Sequence, residues 1–295
     1  MSASARSHRF LARVRDGFVI GDGGYGIALR AAGVVSGNPM LANLDAPEPV
    51  LALHRAFVAA GADVIQPNTL VGSRIGLKRE GLSDRFVALN EAGARLARRA
   101  ADEAGREVFV GASIGPTGEL VEPYGDLPIS EAREAFAEQA GVLADAGVDV
   151  LIVETFISLE EARAAVEGAK VAGLPVVASM AFEPNGRTSF GVTPEQAAAT
   201  LAESGADVVG ANCGCGPVEL EPVARAFRKA TRLPVIIQPN AGMPELREGR
   251  TVYPTAPETM AEYAVRFRDI GINYIGACCG ATPEHIRAMV QRLRG

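Results

Sequence analysis

Apolar positions along the chain fall into two alternating rhythms. One is a short unbroken run rich in Val and Ile, seen eight times: "GFVIGDGG", "ADVIQPNT", "EVFVGASIGP", "DVLIVETF", "LPVVASMAF", "GADVVGANCG", "LPVIIQPNAG" and "INYIGACCG". Consecutive apolar residues of this kind suit parallel strands buried on both faces. The other rhythm is helical and fills the gaps, as in "DAPEPVLALHRAFVAA", "LSDRFVALNEAGARLARRAADEA", "SEAREAFAEQAGVLADA" and "LEEARAAVEGAKVA". Four times a helix, a Gly and a β-branched run follow one another, with Gly61, Gly147, Gly205 and Gly271 at the join. Glycine there suits the left-handed residue that ends a helix. Thr193-Pro194-Glu195 and Thr282-Pro283-Glu284 each put a capping hydroxyl before a proline and an acid, which starts one.

Eight strands alternating with helices predict a (β/α)8 barrel, with residues 1–295 as one domain. The length fits, since such barrels need about 250 residues. The competing architecture is an open doubly wound sheet. That fold carries a Gly-rich phosphate turn, and "GDGGYG" is a weak match to one.

Composition narrows the picture. Apolar residues are 48% of the sequence, enough for a sizeable core. A net charge of −6 and a pI near 5.3 argue against a nucleic-acid or anionic-membrane surface. No apolar run approaches the ~18 residues of a membrane span. The start, "MSASARSHRFLARVRDG", lacks an apolar signal core, and residues 1–15 read as a flexible leader. Four cysteines are too few for a secreted disulfide framework, so a cytoplasmic location is expected.

The chemistry-bearing residues cluster at strand ends. Asp22, Asn68, Ser113, Glu154, Cys213, Asn240, and the adjacent Cys278 and Cys279 close the first, second, third, fourth, sixth, seventh and eighth runs. In such barrels the C-terminal strand ends carry the active site. Side chains of neighbouring strand residues point to opposite faces. At a strand end, however, Gly280 lets the backbone turn and both sulfurs face one point. With Cys213 they would offer three thiolates and an open position, the ligand set of a catalytic zinc site. The helix starting near Thr282 favours thiolate. Buried inert thiols and a redox pair stay open as alternatives, and Cys215 reads as a bystander. His8 and His54 have no partner at ligand spacing, and His285 reads as a solvated residue in the last helix.

The stretches "GDGGYG", "ADVIQPNT", "GASIGPTGEL", "DVLIVETF", "GANCG", "QPNAGMP" and "GACCGATPEH" together resemble the zinc-dependent homocysteine S-methyltransferase family. The likeness is greatest to the homocysteine-binding barrel of cobalamin-dependent methionine synthases. It implies Zn2+ held by Cys213, Cys278 and Cys279, with Asn240 as possible fourth ligand. It also implies that homocysteine is methylated to methionine. A thiol with pKa about 8.5 is a poor nucleophile at neutral pH, and zinc removes its proton. Asp22 and Glu154 suit the substrate ammonium. Backbone N–H groups of Gly23, Gly24 and Tyr25 suit its carboxylate, with Asn68, Ser113 and Asn240 near the substrate.

The methyl donor is argued from what is missing. Betaine and S-methylmethionine are cations that aromatic boxes recognise. This chain has no Trp, only 5% aromatics, and a plain "PNAG" stretch. A methylcorrinoid such as methylcobalamin is therefore expected. The sequence ends just after the barrel, so the expectation is either a separate corrinoid protein as carrier or a single-domain enzyme using a free donor. Two alternatives remain: a betaine- or S-methylmethionine-dependent methyltransferase, and a zinc- or thiol-binding protein without methyl transfer. The second has no use for Asp22 and Glu154 at the same mouth. A metal-dependent aldolase would favour His and carboxylate ligands over three thiolates.

Overall fold

A computed structural model describes residues 3–34, 37–247 and 249–295. Its centre is an eight-stranded all-parallel sheet: β1 (Val19–Ile20), β2 (Val64–Ile65), β3 (Phe109–Ile114), β4 (Val150–Phe156), β5 (Val176–Met180), β6 (Val208–Asn212), β7 (Val235–Gln238) and β8 (Tyr274–Ile275). Each strand from β2 to β7 pairs with its sequence neighbour, and β8 pairs with both β7 and β1. Between β1 and β2 the seam is closed by Asp63, whose N–H donates to the Ile20 carbonyl at 2.7 Å. Its carboxylate accepts the Ile20 N–H at 2.8 Å. The predicted (β/α)8 barrel is thus the observed fold, with all eight strands where the apolar runs place them.

The four helix–Gly–strand joins follow the rule that predicted them. Gly61, Gly147, Gly205 and Gly271 have φ of +105°, +87°, +97° and +92°. The structure adds a second repeat inside the first. Two residues after each glycine stands Asp63, Asp149, Asp207 or Asn273. Each side chain accepts the N–H of a residue on the preceding odd-numbered strand: Ile20, Val110, Val176 or Val235. A short polar side chain here stands in for a ladder carbonyl at the barrel's N-terminal end.

Residues 3–16 depart from the expected flexible leader. Ala3–Asp16 is a helix. Its Phe10 and Val14 are fully buried against the inward-facing residues Val19, Val64, Phe109, Ile152 and Tyr274. Arg6 pairs with Asp149 at 2.5 Å and Arg13 with Asp63 at 2.8 Å. The Arg-rich segment is therefore a plug under the barrel, not a solvated tail. Residues 1 and 2 lie outside the described part. Within it, no helix is long and apolar enough to cross a membrane.

Candidate functional site

The C-terminal mouth is shaped by unusual backbone. Cys213, just past β6, has φ +58°, and Gly214 follows at +76°. A Cβ on Gly214 would lie 2.1 Å from the Phe182 carbonyl oxygen, so only glycine lets the chain turn there. Two successive left-handed residues swing Cys213 towards the β8 end. The β8 end is held by its neighbours: Cys278 N–H donates to the Pro239 carbonyl at 2.8 Å, and the Cys279 carbonyl accepts from Ala241 at 2.9 Å. Gly280, at φ +80°, makes the turn expected after the cysteine pair.

The result is a cluster in which the three sulfurs of Cys213, Cys278 and Cys279 lie within 4.8 Å of one another, with Cys213 and Cys279 4.0 Å apart. Hydrogen bonds from Cys278 and Cys279 favour charge on Cys213 and lower its pKa well below a free thiol's. Those same bonds to Cys213 push Cys278 and Cys279 upward. Zn–S bonds of about 2.3 Å in a tetrahedron separate sulfurs by about 3.8 Å, so the trio lies within about 1 Å of that spacing. Donor type and spacing both fit a zinc ion. Cys215 lies outside the cluster, fully buried, with burial raising its thiol to about 12.

Cys278 and Cys279 line a cavity of about 270 Å3 together with Gly23, Gly24, Tyr25, Asn68, Ser113 and Glu154. Glu154 sits at a break in register between β4 and β5, beside Thr155 at φ +70°. Its Oε1 accepts from the Ser113 hydroxyl and, at 3.0 Å, from the Gln66 amide. Burial outweighs these bonds and raises its pKa from 4.5 to about 7. No Lys or Arg pairs with it among the described residues; Arg30 is the one such cation on the cavity wall.

Several expected residues have other tasks. Asp22 is fully buried and is not part of the cavity wall. Its Oδ2 accepts from the Tyr25 hydroxyl at 2.8 Å and the Gln66 N–H at 2.7 Å, while Oδ1 has no partner. Burial raises its pKa well above an ordinary carboxyl's. The Gly24 N–H is committed to the Cys278 carbonyl at 3.1 Å and is not free for a substrate carboxylate. A Cβ on Gly24 would crowd that same oxygen, so its glycine serves close approach. Gly23 and Tyr25 N–H have no such partner among the described residues. Asn68 braces the mouth, donating to Pro39 and Asn43.

Asn240 Oδ1 accepts the Cys279 N–H at 3.1 Å, and its side chain also hydrogen-bonds the Cys213 sulfur. That arrangement orients two residues of the sulfur trio, and the amide oxygen is already engaged. His285 is not solvated but buried: Nδ1 accepts from the Thr282 N–H, and Nε2 reaches the Thr255 carbonyl at 2.9 Å. His54 Nδ1 meets the Tyr25 hydroxyl at 2.8 Å.

Sequence reasoning missed four contributors. Gln66 links Glu154 to Asp22. Asn212 accepts the Thr155 N–H, donates to its hydroxyl, and approaches the Cys278 sulfur at 3.9 Å. Thr155 is thereby fixed in its left-handed conformation. The Tyr253 phenol hydrogen-bonds the Cys279 sulfur. Gln66, Thr155 and Asn212 were in view inside "ADVIQPNT", "DVLIVETF" and "GANCG" without a role assigned to them, and Tyr253 carried no local signal.

Sulfurs and carboxylates gathered at the C-terminal mouth of a (β/α)8 barrel place the chain among barrel enzymes. Residues 19–293 match the profile of the homocysteine S-methyltransferases, and the chain belongs to that family. It is 33% identical over 286 residues to methionine synthase of Mycobacterium tuberculosis, covering 91% of this chain and 24% of that protein. The chain thus spans about a quarter of that relative's length. It is 34% identical over 301 residues to betaine–homocysteine S-methyltransferase 1 of Mus musculus, covering 93% of this chain and 72% of the relative. The metallated form of the homocysteine methyltransferase MmuM from Escherichia coli shares the fold. Its TM-score is 0.76 at 23% identity, over 97% of this chain and 99% of that one.

Proposed function

We propose that this chain methylates homocysteine to methionine, with zinc held by Cys213, Cys278 and Cys279. The observation that carries the reading is the sulfur trio beside a cavity that also presents a buried, cation-free carboxylate. Zinc in such a site is a Lewis acid that makes an incoming thiol acidic enough to be nucleophilic near neutral pH. The chain's own residues do the rest. Glu154, held by Ser113 and Gln66, receives the substrate ammonium, and that positive charge restores its ionised form. Asp22 acts one step removed, fixing Tyr25 and the Gln66 backbone. Gly23 and Tyr25 N–H groups face the substrate carboxylate. Asn240 and Asn212 orient the cysteines, and the half-closed cavity limits water.

The donor in this reading is a methylcorrinoid, with the kinship to methionine synthase as one support. The other is the reaction cavity's wall, whose one aromatic residue is Tyr25. A single ring does not make an aromatic cage for a methyl cation. The likeness to betaine–homocysteine methyltransferase supports betaine as the second reading. One experiment decides: homocysteine is offered with methylcobalamin, a methylated corrinoid protein, betaine or S-methylmethionine, and methionine and bound zinc are measured. Methionine from the corrinoids, lost on chelation, is expected. Turnover with betaine alone overturns the donor, and no methionine from any donor overturns the activity.

A further inference from the structure

A second cavity, of about 190 Å3, opens beside the reaction cavity, and the two share Thr155 as a common wall. Leu120, Tyr124, Ile157 and Phe190 supply apolar sides, and Glu161 lies at its base. Glu161 is only 5% exposed. Its Oε1 accepts both the N–H and the hydroxyl of Thr117 at 2.8 Å. Its other oxygen has no partner among the described residues, and no Lys, Arg or His pairs with the carboxylate. Buried carboxylates are ordinarily matched by a cation. The first turn of the Leu159–Lys170 helix contributes only about half a positive charge there. Burial accordingly raises the Glu161 pKa.

The walls complete the description. Tyr124 and Phe190 meet edge to face with centroids 5.0 Å apart. Tyr124 is 53% exposed and Leu120 54%, apolar surface left open by the described residues. Aromatic faces attract cations, most strongly those that shed water easily, such as alkylated ammonium groups. The partition towards the reaction cavity is firm, because Asn212 holds Thr155 by two hydrogen bonds.

We propose that this second cavity binds a small organic cation, an alkylammonium or other onium head of about trimethylammonium size, between the Glu161 carboxylate and the Tyr124–Phe190 pair. The inference does not depend on zinc, homocysteine or the identity of the donor, so its failure would leave the proposed function standing. Tetramethylammonium, titrated into the full chain by calorimetry, should bind saturably at one site. Glu161→Gln keeps an oxygen for Thr117 but removes the charge, and should weaken binding about 10-fold or more. Phe190→Leu should weaken it less. Should Glu161→Gln fail to fold, Tyr124→Ala on the exposed wall carries the test. The neutral probe tert-butanol should bind far more weakly. Lack of saturable binding, binding indifferent to these substitutions, or equal binding of tert-butanol overturns the site. Betaine, offered with homocysteine, distinguishes the sources. Methionine formation that falls in Glu161→Gln and Tyr124→Ala would assign the cavity to a donor and overturn the firm partition at Thr155, and betaine binding there without turnover identifies an effector.

Discussion

The two ends of the barrel bury the same kind of residue in opposite ways. At the N-terminal end, Asp63 meets Arg13 and Arg294, and Asp149 meets Arg6 and Arg98. Each carboxylate also accepts a strand N–H, so charge and lone pairs are both matched. At the C-terminal end, Asp22, Glu154 and Glu161 are as deeply buried, yet none pairs with a cation among the described residues. Burial pushes all three carboxyls upward. The matched end is plugged by a helix, and the unmatched end carries the sulfur trio and the cavities beside it. A buried acid whose counter-charge comes from the chain serves the fold. A buried acid without one that also lines a cavity, as Glu154 and Glu161 do, is poised for a ligand, which is how a ring of strands separates stability from function.

The sharpest way to break this comparison acts on the unmatched end. Cys278→Ala or Cys213→Ala should abolish methyl transfer and strip metal, while circular dichroism stays close to the parent's. Cys215→Ala, outside the sulfur trio, should be mild. Chelation of the parent should reproduce the loss, and added Zn2+ should reverse it. Full zinc content and activity in Cys278→Ala would remove the ligand assignment. Next in size is the matched end. Asp149→Ala leaves Arg6 and Arg98 facing each other without the carboxylate, and breaking such a buried network costs about 3–5 kcal/mol. Denaturant midpoints should fall accordingly, with activity per folded molecule unchanged. Equal stability would mean that the N-terminal carboxylates are not structural.

Glu154→Gln is a smaller perturbation with two opposed readings. Losing a charged hydrogen bond to the substrate ammonium should weaken homocysteine binding by about 1.5–3 kcal/mol, roughly 10- to 150-fold. Metal content should stay the same. Stability moves the other way. The folded pKa of about 7 lies above the ordinary 4.5, so folding favours the protonated carboxyl. That contribution is fully present below about pH 4.5 and fades as pH rises through 7. The substrate-free variant should therefore match the parent at low pH and be more stable at pH 8.5. In the parent, homocysteine binding should tighten as pH rises through about 7, because the carboxylate must ionise to meet the ammonium. A variant destabilised at pH 8.5 would show that Glu154 has a counter-charge after all.

Legibility in the sequence follows the range of the interactions. All eight strands were readable because burial on both faces demands unbroken Val and Ile, and four helix ends because left-handed turns demand Gly. The sulfur trio was readable because Cys is rare and "NCG" and "CCG" sit at strand ends. The plug helix was not. It has only two deep anchors, Phe10 and Val14, and its arginines look solvated until Asp63 and Asp149 are known to lie beneath them. Asp22 was placed at the right mouth, but no local pattern tells a residue lining a cavity from one just behind its wall. The roles of Gln66, Thr155 and Glu161 were not readable because they depend on partners 44 or more residues away.

Tyr253 offers the finest adjustment and the last test. It stands between β7 and β8 in a loop tied at one end by Thr255, whose N–H donates to the Ala241 carbonyl at 2.9 Å. The Thr255 carbonyl is engaged by His285, and because His285 Nδ1 accepts from Thr282, its Nε2 carries the proton that Thr255 receives. The ring lies against Gly280 so closely that a Cβ there would be 2.1 Å from Tyr253 Cγ. The phenol is thus delivered to Cys279 by packing, and its hydroxyl donates to a sulfur of the trio. Hydrogen bonds from outside a metal's ligand set commonly change affinity by about 10- to 100-fold. Tyr253→Phe keeps the ring on Gly280 and removes only the donor. It should weaken zinc retention about 10-fold, or ~1.4 kcal/mol, in chelator competition. The thiolate absorption of a cobalt-substituted sample should shift as well, because one sulfur loses its hydrogen bond. Tyr253→Ala should do both and also loosen the loop. Identical zinc competition and identical cobalt spectra for Tyr253→Phe and the parent would reduce Tyr253 to a packing residue and leave the trio's tuning to Asn240 and Asn212.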